Sequence, residues 1–175
     1  MEKLAIHGGV KTIRNQFPKY NPIGVEEIEA ATSVVKNGVL SQYIGAWHED
    51  FLGGPNVAAF EKAMCDYFDV EYAVTVNSWT SGLVAAIGAI GIEPGDEVIV
   101  TPWTMSASAT AILHWNAIPV FADIDRKTYN LCVKSIEKNI TPQTKAIMVA
   151  DIFGLSADID AIMAIANKHG LKVIS

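Results

Sequence analysis

The sequence has few cysteines, no long apolar stretch and no N-terminal signal core. Its two cysteines among 175 residues are too few for the disulfide framework of a small secreted domain, and they lack metal-ligand spacing. The longest apolar stretches, such as residues 83–91, are far too short to cross a bilayer. The N-terminus contains no apolar signal core, so we expect a cytoplasmic protein.

Basic residues are also few and scattered. The chain has 13 Lys and Arg against 19 Asp and Glu, which gives a net charge of −6. No basic run is interleaved with aromatic residues, which argues against a nucleic-acid surface. The four histidines share no metal-ligand spacing. We therefore expect no nucleic-acid partner and no metal, and the composition leaves a soluble, well-packed protein.

From residue 71 onward, strand patterns alternate with helix patterns. Strands are predicted at 71–77, 97–101, 118–124, 145–153 and 171–175. Helices are predicted at 80–91, 105–115, 133–140 and 158–169. Near-continuous β-branched runs separated by helices indicate a mostly parallel sheet that is covered on both faces. The predicted fold class is therefore α/β, a three-layer sandwich. No helix follows the last strand, so we expect the domain to be incomplete at its C-terminus.

The first part of the chain has a different pattern. A helix is predicted over 24–38, ending in a glycine suited to a C-cap, and a second over 56–69, with Asn56 as its N-cap. We assign residues 1–55 to an N-terminal arm with a helix, and residues 56–175 to the α/β domain.

Small polar residues follow the first predicted strand. Ser78, Thr80 and Ser81 lie where the next helix begins, and the amides of Thr80, Ser81 and Gly82 would lack helical partners. The helix dipole and the hydroxyls then favour a bound phosphate. The alternative is that Ser78 or Thr80 only caps the helix. The stretch is neither a Walker A loop nor a G-x-G-x-x-G motif, which disfavours a nucleoside triphosphate or NAD.

Two further stretches end strands at the same predicted sheet edge. Trp103 and Met105 follow the second strand and offer apolar contacts to a flat ligand, unless they fill the core beneath the helix. Asp151 and Phe153 close the fourth strand, where ligand groups lie in parallel α/β sheets. Asp151 is a candidate acceptor for a ligand hydroxyl, or else a local cap or a solvent-facing carboxylate. Asp158 is predicted to cap the following helix.

Several segments together resemble the DegT-type sugar aminotransferases, in order and spacing. The resemblance covers nearly all of the chain and includes KNGVLSQ, GGPNVAAFEKAM, YAVTVNSWTSGLVAAIGAIGIEPGDEVIVTPWT, IPVFADIDRKTYNL, ITPQTKAIMVADIFG and DIDAIMAIANKHGLKVIS. These enzymes are fold-type I proteins that depend on pyridoxal 5′-phosphate. They transfer an amino group, usually from glutamate, to a keto group of a nucleotide-linked sugar, and they work as homodimers.

The resemblance implies a cofactor site in this chain. Thr80 and Ser81 would hold the cofactor phosphate, and Asp151 would lie at the same site. Met105 stands where the family has an aromatic residue that stacks on the cofactor ring, and Trp79 stands where the family has glycine or another small residue. These two departures indicate an altered pocket, in which either the turn at Trp79 has a different shape or the indole projects towards the ligand.

The resemblance also implies that residues 56–175 form part of the cofactor-binding large domain, without the small C-terminal domain. The family's aspartate at the pyridine nitrogen and its Schiff-base lysine would follow Ser175. Neither Lys168 nor Lys172 matches the lysine position, so no catalytic residue is predicted in this chain and the 175 residues alone are expected to be inactive. Two alternatives stay open: a pyridoxamine-phosphate-dependent sugar dehydratase of the same fold, and a truncated, non-catalytic protein that binds a phosphorylated ligand.

Overall fold

The structure is a computed structural model that describes residues 3–40 and 42–175. The chain divides into an N-terminal unit, Met1–Ala73, and a C-terminal unit, Val74–Ser175. The predicted assignment of residues 56–73 to the α/β domain stays a prediction. Within the described residues, no helix is long and apolar enough to cross a membrane.

The N-terminal unit contains helix α1, Val25–Asn37. At its start the side chain of Glu27 reaches back, and its Oε2 accepts a hydrogen bond of 2.7 Å from the amide of Gly24. At its end Gly38 adopts a left-handed φ of 78°, a conformation that glycine takes at little cost. The predicted glycine C-cap is confirmed.

Helix α2 of the same unit, Pro55–Phe68, begins one residue earlier than predicted. Gly54 is the N-cap and Pro55 the first helical residue, so the prediction of Asn56 as the cap is wrong. Proline suits this position because its φ is already helical and its missing N–H has no helical acceptor there. Among its described residues the unit also has two short 3₁₀ helices, Ala5–His7 and Glu49–Leu52.

The C-terminal unit is built on one sheet of four parallel strands in the order β2-β1-β3-β4. The strands are β1 Glu97–Val100, β2 Ile118–Phe121, β3 Thr144–Met148 and β4 Lys172–Ile174. β1 and β3 are the inner strands. β2 is an outer strand among those described, with Pro119 in register with Val98 of β1. The predicted parallel sheet is confirmed.

Four helices of the C-terminal unit cover the two faces of this sheet. They are α3 Trp79–Ala89, α4 Ser106–Leu113, α5 Val133–Asn139 and α6 Ile159–His169. Val98 packs in one buried cluster with Ile112 of α4 and residues of α3. The next residue, Ile99, packs in a second cluster with Ile162 of α6 and residues of α5. Because successive strand residues point to opposite faces, the two clusters define the predicted three layers.

The predicted strand over residues 71–77 is wrong. Within the described residues the segment forms no ladder, and Tyr72 and Val74 are exposed. β-branched and aromatic residues favour a strand only where a neighbouring strand offers hydrogen bonds and a surface to pack on. The third and fourth predicted strands are also shorter than expected, ending at Phe121 and Met148.

Candidate cofactor and substrate site

The strand order places a crevice between β1 and β3. The chain runs from β1 to β2 on one side and then returns to β3 on the other. In open parallel sheets, ligands bind beyond the carboxyl ends of the strands at this point of reversal. The loops that leave the two strands are residues 101–105 and 149–151, and they contain the predicted site residues Met105 and Asp151.

A cleft of about 450 Å³ lies at this edge, and we call it the α3 cleft. Its walls include Trp79, Thr80, Met105 and Asp151. The structure therefore brings together four of the five residues for which cofactor binding was predicted. Ser81, the fifth, is not among the residues that line this cleft.

The N-terminus of α3 is capped by its own chain. The Oγ of Ser78 accepts a hydrogen bond of 3.2 Å from the amide of Ser81, and the carbonyl of Ser78 accepts one of 3.1 Å from the amide of Gly82. The expectation that both amides lack partners is therefore wrong, and Ser78 is the helix cap. Among the described residues, the amides of Trp79 and Thr80 have no protein acceptor. These two N–H groups are available for an anion.

Trp79 and Met105 contribute the apolar part of the α3 cleft. The indole of Trp79 lies against Gly82 on the same helix, because a Cβ at Gly82 would come within 2.7 Å of its Cε3. Both side chains are largely exposed, Trp79 by 65% and Met105 by 78%. The two positions that depart from the family pattern therefore face one cleft.

Two hydroxyl groups line the α3 cleft from its α4 side. The Oγ1 of Thr104 and the Oγ of Ser108 are 3.1 Å apart, and Ser108 is buried. Sequence reasoning passed over Ser108 because it lies inside a helix of small residues. The available signal was its spacing of four from Thr104, which suits a contact between a helix start and its first turn.

Asp151 is both a local cap and an exposed carboxylate, and its role as an acceptor for a ligand stays a prediction. Its Oδ1 accepts a hydrogen bond of 2.9 Å from the amide of Ala157, so the carboxylate is a local cap. It is also exposed and lines the α3 cleft. Asp158 caps α6 by accepting a hydrogen bond of 3.2 Å from the amide of Ala161, which confirms that prediction.

A second cleft, of about 590 Å³, adjoins the first, and we call it the aromatic cleft. Trp103 and Phe153 line it. It shares Thr104, Met105 and Asp151, as well as residue 150, with the α3 cleft. Among the described residues, neither cleft is lined by Lys, Arg or His, and no cluster of three or more His, Cys, Asp or Glu could hold a metal.

Comparison with known proteins gives a consistent set of matches. Residues 25–175 match the DegT/DnrJ/EryC1/StrS aminotransferase family. The spore coat polysaccharide biosynthesis protein SpsC of Bacillus subtilis is 43% identical over 163 residues, which are 92% of this chain and 39% of that protein. GDP-perosamine synthase of Caulobacter vibrioides is 44% identical over 121 residues, 69% of this chain and 33% of that protein.

A solved structure extends the match to three dimensions. NtdA from Bacillus subtilis, with bound cofactor PMP, superposes with a TM-score of 0.76 and 31% identity, covering 86% of this chain and 33% of that chain. The chain thus spans 39% of the length of SpsC and 33% of the length of GDP-perosamine synthase.

Proposed function

Because the chain belongs to the DegT/DnrJ/EryC1/StrS aminotransferase family, we propose that its complete polypeptide transfers an amino group to a keto group of a nucleotide-linked sugar. Glutamate is the proposed donor. The synthesis of an amino-sugar nucleotide by the relative GDP-perosamine synthase supports this substrate class. The name of SpsC supports a place in polysaccharide biosynthesis.

The observation that carries the proposal is the pair of unpartnered amides beside an apolar wall. The N–H groups of Trp79 and Thr80 lack protein acceptors within the described residues, at the positive end of the α3 dipole. The indole of Trp79 and the thioether of Met105 line the same cleft. A phosphate joined to a flat aromatic ring fits this donor set, and pyridoxal 5′-phosphate has that form.

In this proposal the residues of the chain bind and orient the cofactor. The amides of Trp79 and Thr80 and the hydroxyl of Thr80 hold the phosphate in the α3 cleft, and the hydroxyl of Ser81, which is 3.1 Å from the Oγ of Ser78, is proposed as a further donor. Trp79 and Met105 contact the ring and exclude water from it, and Asp151 accepts a hydrogen bond from the ligand. The bound cofactor supplies the electron sink that amino transfer requires. No proton-transfer role is proposed for the described residues.

We also propose that the protein is a homodimer located in the cytoplasm. A homodimer is proposed because the family that the sequence resembles works in that form. A cytoplasmic location is proposed because nucleotide-linked sugars are made in the cytoplasm.

The test is cofactor binding by the complete protein, followed by absorbance. Pyridoxal phosphate should bind, and glutamate should convert its absorbance to that of the amine form. Thr80→Val should weaken cofactor affinity by about 10-fold or more, because a hydrogen bond to a charged group contributes roughly 1.5–3 kcal/mol. Thr110→Val is the matched control, since the Oγ1 of Thr110 donates to the carbonyl of Ala107 within α4. An unchanged spectrum on adding glutamate to the wild-type protein would contradict the proposal.

A further inference from the structure

Three aromatic side chains lie in a row at the carboxyl edge of the sheet. Trp103 follows β1, Tyr129 lies in the loop after β2, and Phe153 follows β3. The ring centroids are 6.1 Å apart for Trp103 and Tyr129, and 6.3 Å apart for Tyr129 and Phe153. All three are exposed, and Phe153 is 84% exposed. We call these three residues the aromatic rim.

Two members of the aromatic rim have an unfavourable backbone conformation. Tyr129 has a φ of 63° and Phe153 a φ of 55°, in the left-handed region that side chains larger than Asn or Asp rarely adopt. Such conformations persist where the surrounding structure determines them, and they concentrate at functional sites. In both loops the backbone is therefore held in place while it presents an aromatic ring to solvent.

A single buried amide fixes the two loops to each other. Asn130 is only 4% exposed. Its Oδ1 accepts a hydrogen bond of 2.9 Å from the amide of Ile152, and its Nδ2 donates one of 2.9 Å to the carbonyl of Leu155. The residue that follows Tyr129 in the chain thus brackets Phe153 on both sides, which makes Asn130 a positioning residue for the aromatic rim.

The aromatic rim borders the proposed cofactor site. Trp103 and Phe153 line the aromatic cleft, and Asp151 lines both clefts. Within the described residues, Oδ2 of Asp151 accepts no hydrogen bond from the protein. A ring held in the aromatic cleft would lie directly beside the cofactor, where the acceptor carbon of the substrate must be.

We propose that the aromatic rim is a subsite for the sugar ring of the substrate, which rests its C–H face on the rings while one of its hydroxyls donates a hydrogen bond to the carboxylate of Asp151. This inference rests on the proposed function. The chemistry of the lining favours a sugar ring over a diphosphate, because no cation is among the described lining residues. The apolar face of the sugar matches the rings, and its hydroxyls match the carboxylate of Asp151.

The test compares ligands with and without the sugar on the complete, cofactor-loaded protein. Calorimetry would measure affinity for UDP-N-acetylglucosamine, GDP-mannose and dTDP-glucose, and for the corresponding nucleoside diphosphates. Phe153→Leu keeps apolar volume but removes the ring face. It should weaken binding of the preferred sugar nucleotide by about 5- to 10-fold and that of the nucleoside diphosphate by less than about 2-fold.

Two further variants test whether sugar binding depends on the position of the three rings and not only on their presence. Asn130→Asp keeps the shape of the side chain but places a carboxylate oxygen against the carbonyl of Leu155, so it should produce the same selective loss with all three rings present. If Asn130→Asp does not fold, Phe153→Leu still decides the question. Tyr67→Leu is the matched control, because Tyr67 is 81% exposed and lies in the N-terminal unit.

The remaining outcomes overturn the inference. Equal losses for sugar nucleotide and nucleoside diphosphate would place the base on the rings. Unchanged affinity in Phe153→Leu, the same loss in Tyr67→Leu, or no binding of any probe by the wild-type protein would mean that the aromatic rim is not a subsite. The glutamate-dependent absorbance change of the wild-type protein is measured separately. Its failure would refute amino transfer and leave a selective loss of sugar binding intact.

Discussion

The two units of the chain contain helices with similar apolar patterns, but the helices differ in how much of their apolar surface is buried. In the C-terminal unit, helices such as α4 and α6 pack buried residues on the sheet. In the N-terminal unit, α1 and α2 have no buried residue, although both have apolar residues at helical spacing. The difference teaches that periodicity predicts a helix and its apolar face, but not what covers that face.

Different interactions therefore stabilise the helices of the two units. α1 and α2 have local ones: the Glu27 side chain at the start of α1, and an ion pair of 3.0 Å between Lys62 and Asp66 one turn apart. An exposed ion pair such as that of Lys62 and Asp66 contributes at most about 1 kcal/mol. In the C-terminal unit, the burial of apolar side chains stabilises the helices more strongly, by about 1.5–3 kcal/mol for each side chain that is fully buried.

The largest expected effect is in the core of the C-terminal unit. Ile147 of β3 is fully buried, so Ile147→Ala should lower the free energy of unfolding by about 2–5 kcal/mol through lost burial and a cavity. Ile28 of α1 is 61% exposed, and Ile28→Ala should cost within about 0.5 kcal/mol. Urea denaturation of the two variants measures both values. A comparable cost for Ile28→Ala would mean that α1 is covered in the assembled protein.

The next largest effect on stability is expected where α3 contacts Trp115. A Cβ at Gly88 in α3 would overlap the indole of Trp115, whose Nε1 donates a hydrogen bond of 2.8 Å to the carbonyl of Val84. Gly88→Ala should therefore destabilise the protein by about 1–3 kcal/mol, although alanine favours a helix by about 1 kcal/mol over glycine. Thermal unfolding, with the calorimetric enthalpy, provides the measurement.

A second substitution isolates the cause of that loss. In a Trp115→Leu background the indole is absent, and Gly88→Ala should become neutral or stabilising. If Gly88→Ala stabilised the protein with Trp115 present, the close contact between α3 and Trp115 would be refuted.

The smallest expected effect is on the stability of α1 at acidic pH. The amide of Gly24 donates to the carboxylate of Glu27 and lowers the pKa of Glu27 below its ordinary value. A lowered folded-state pKa stabilises α1 above the unfolded pKa, and the contribution is lost as the pH falls through the folded value. Amide protection in α1, corrected for intrinsic exchange, should fall as the pH drops below the ordinary pKa of a glutamate. Glu27→Gln should reduce this dependence, whereas a reduction of equal size in Glu26→Gln would contradict the assignment.

Much of the fold could be predicted because its signals are local. The β-branched runs of β1 and β3 and the helices between them follow from periodicity alone. Residues 71–77 have the same composition, yet they pair with no strand in the described structure, because pairing depends on residues far away in the chain. At α2, a one-residue shift to Gly54 and Pro55 changed the cap without changing the helix.

The candidate site was predictable in its location and less so in its contacts. The rule for parallel strand ends is enough to bring Met105 and Asp151 to one edge. It could not decide between Ser78 and Thr80 as the cap of α3, since the cap position depends on where the helix begins, and the structure shows that Ser78 is the acceptor for the amide of Ser81. Nor could the rule identify Asn130, whose partners Ile152 and Leu155 are 22 and 25 residues away in the chain.

Pro119 in the outer strand β2 bears on association between copies of the sheet. The amides of Ile118 and Ala122 donate to carbonyls of the β1 side at 2.8 and 3.1 Å. In a parallel ladder the amides of alternate residues point to the same neighbouring strand, so the backbone nitrogen of residue 119 lies on the side away from β1. Proline has no N–H to donate there. A further strand added at this side would lack a main-chain hydrogen bond, and the proline thereby protects the sheet against edge-to-edge aggregation.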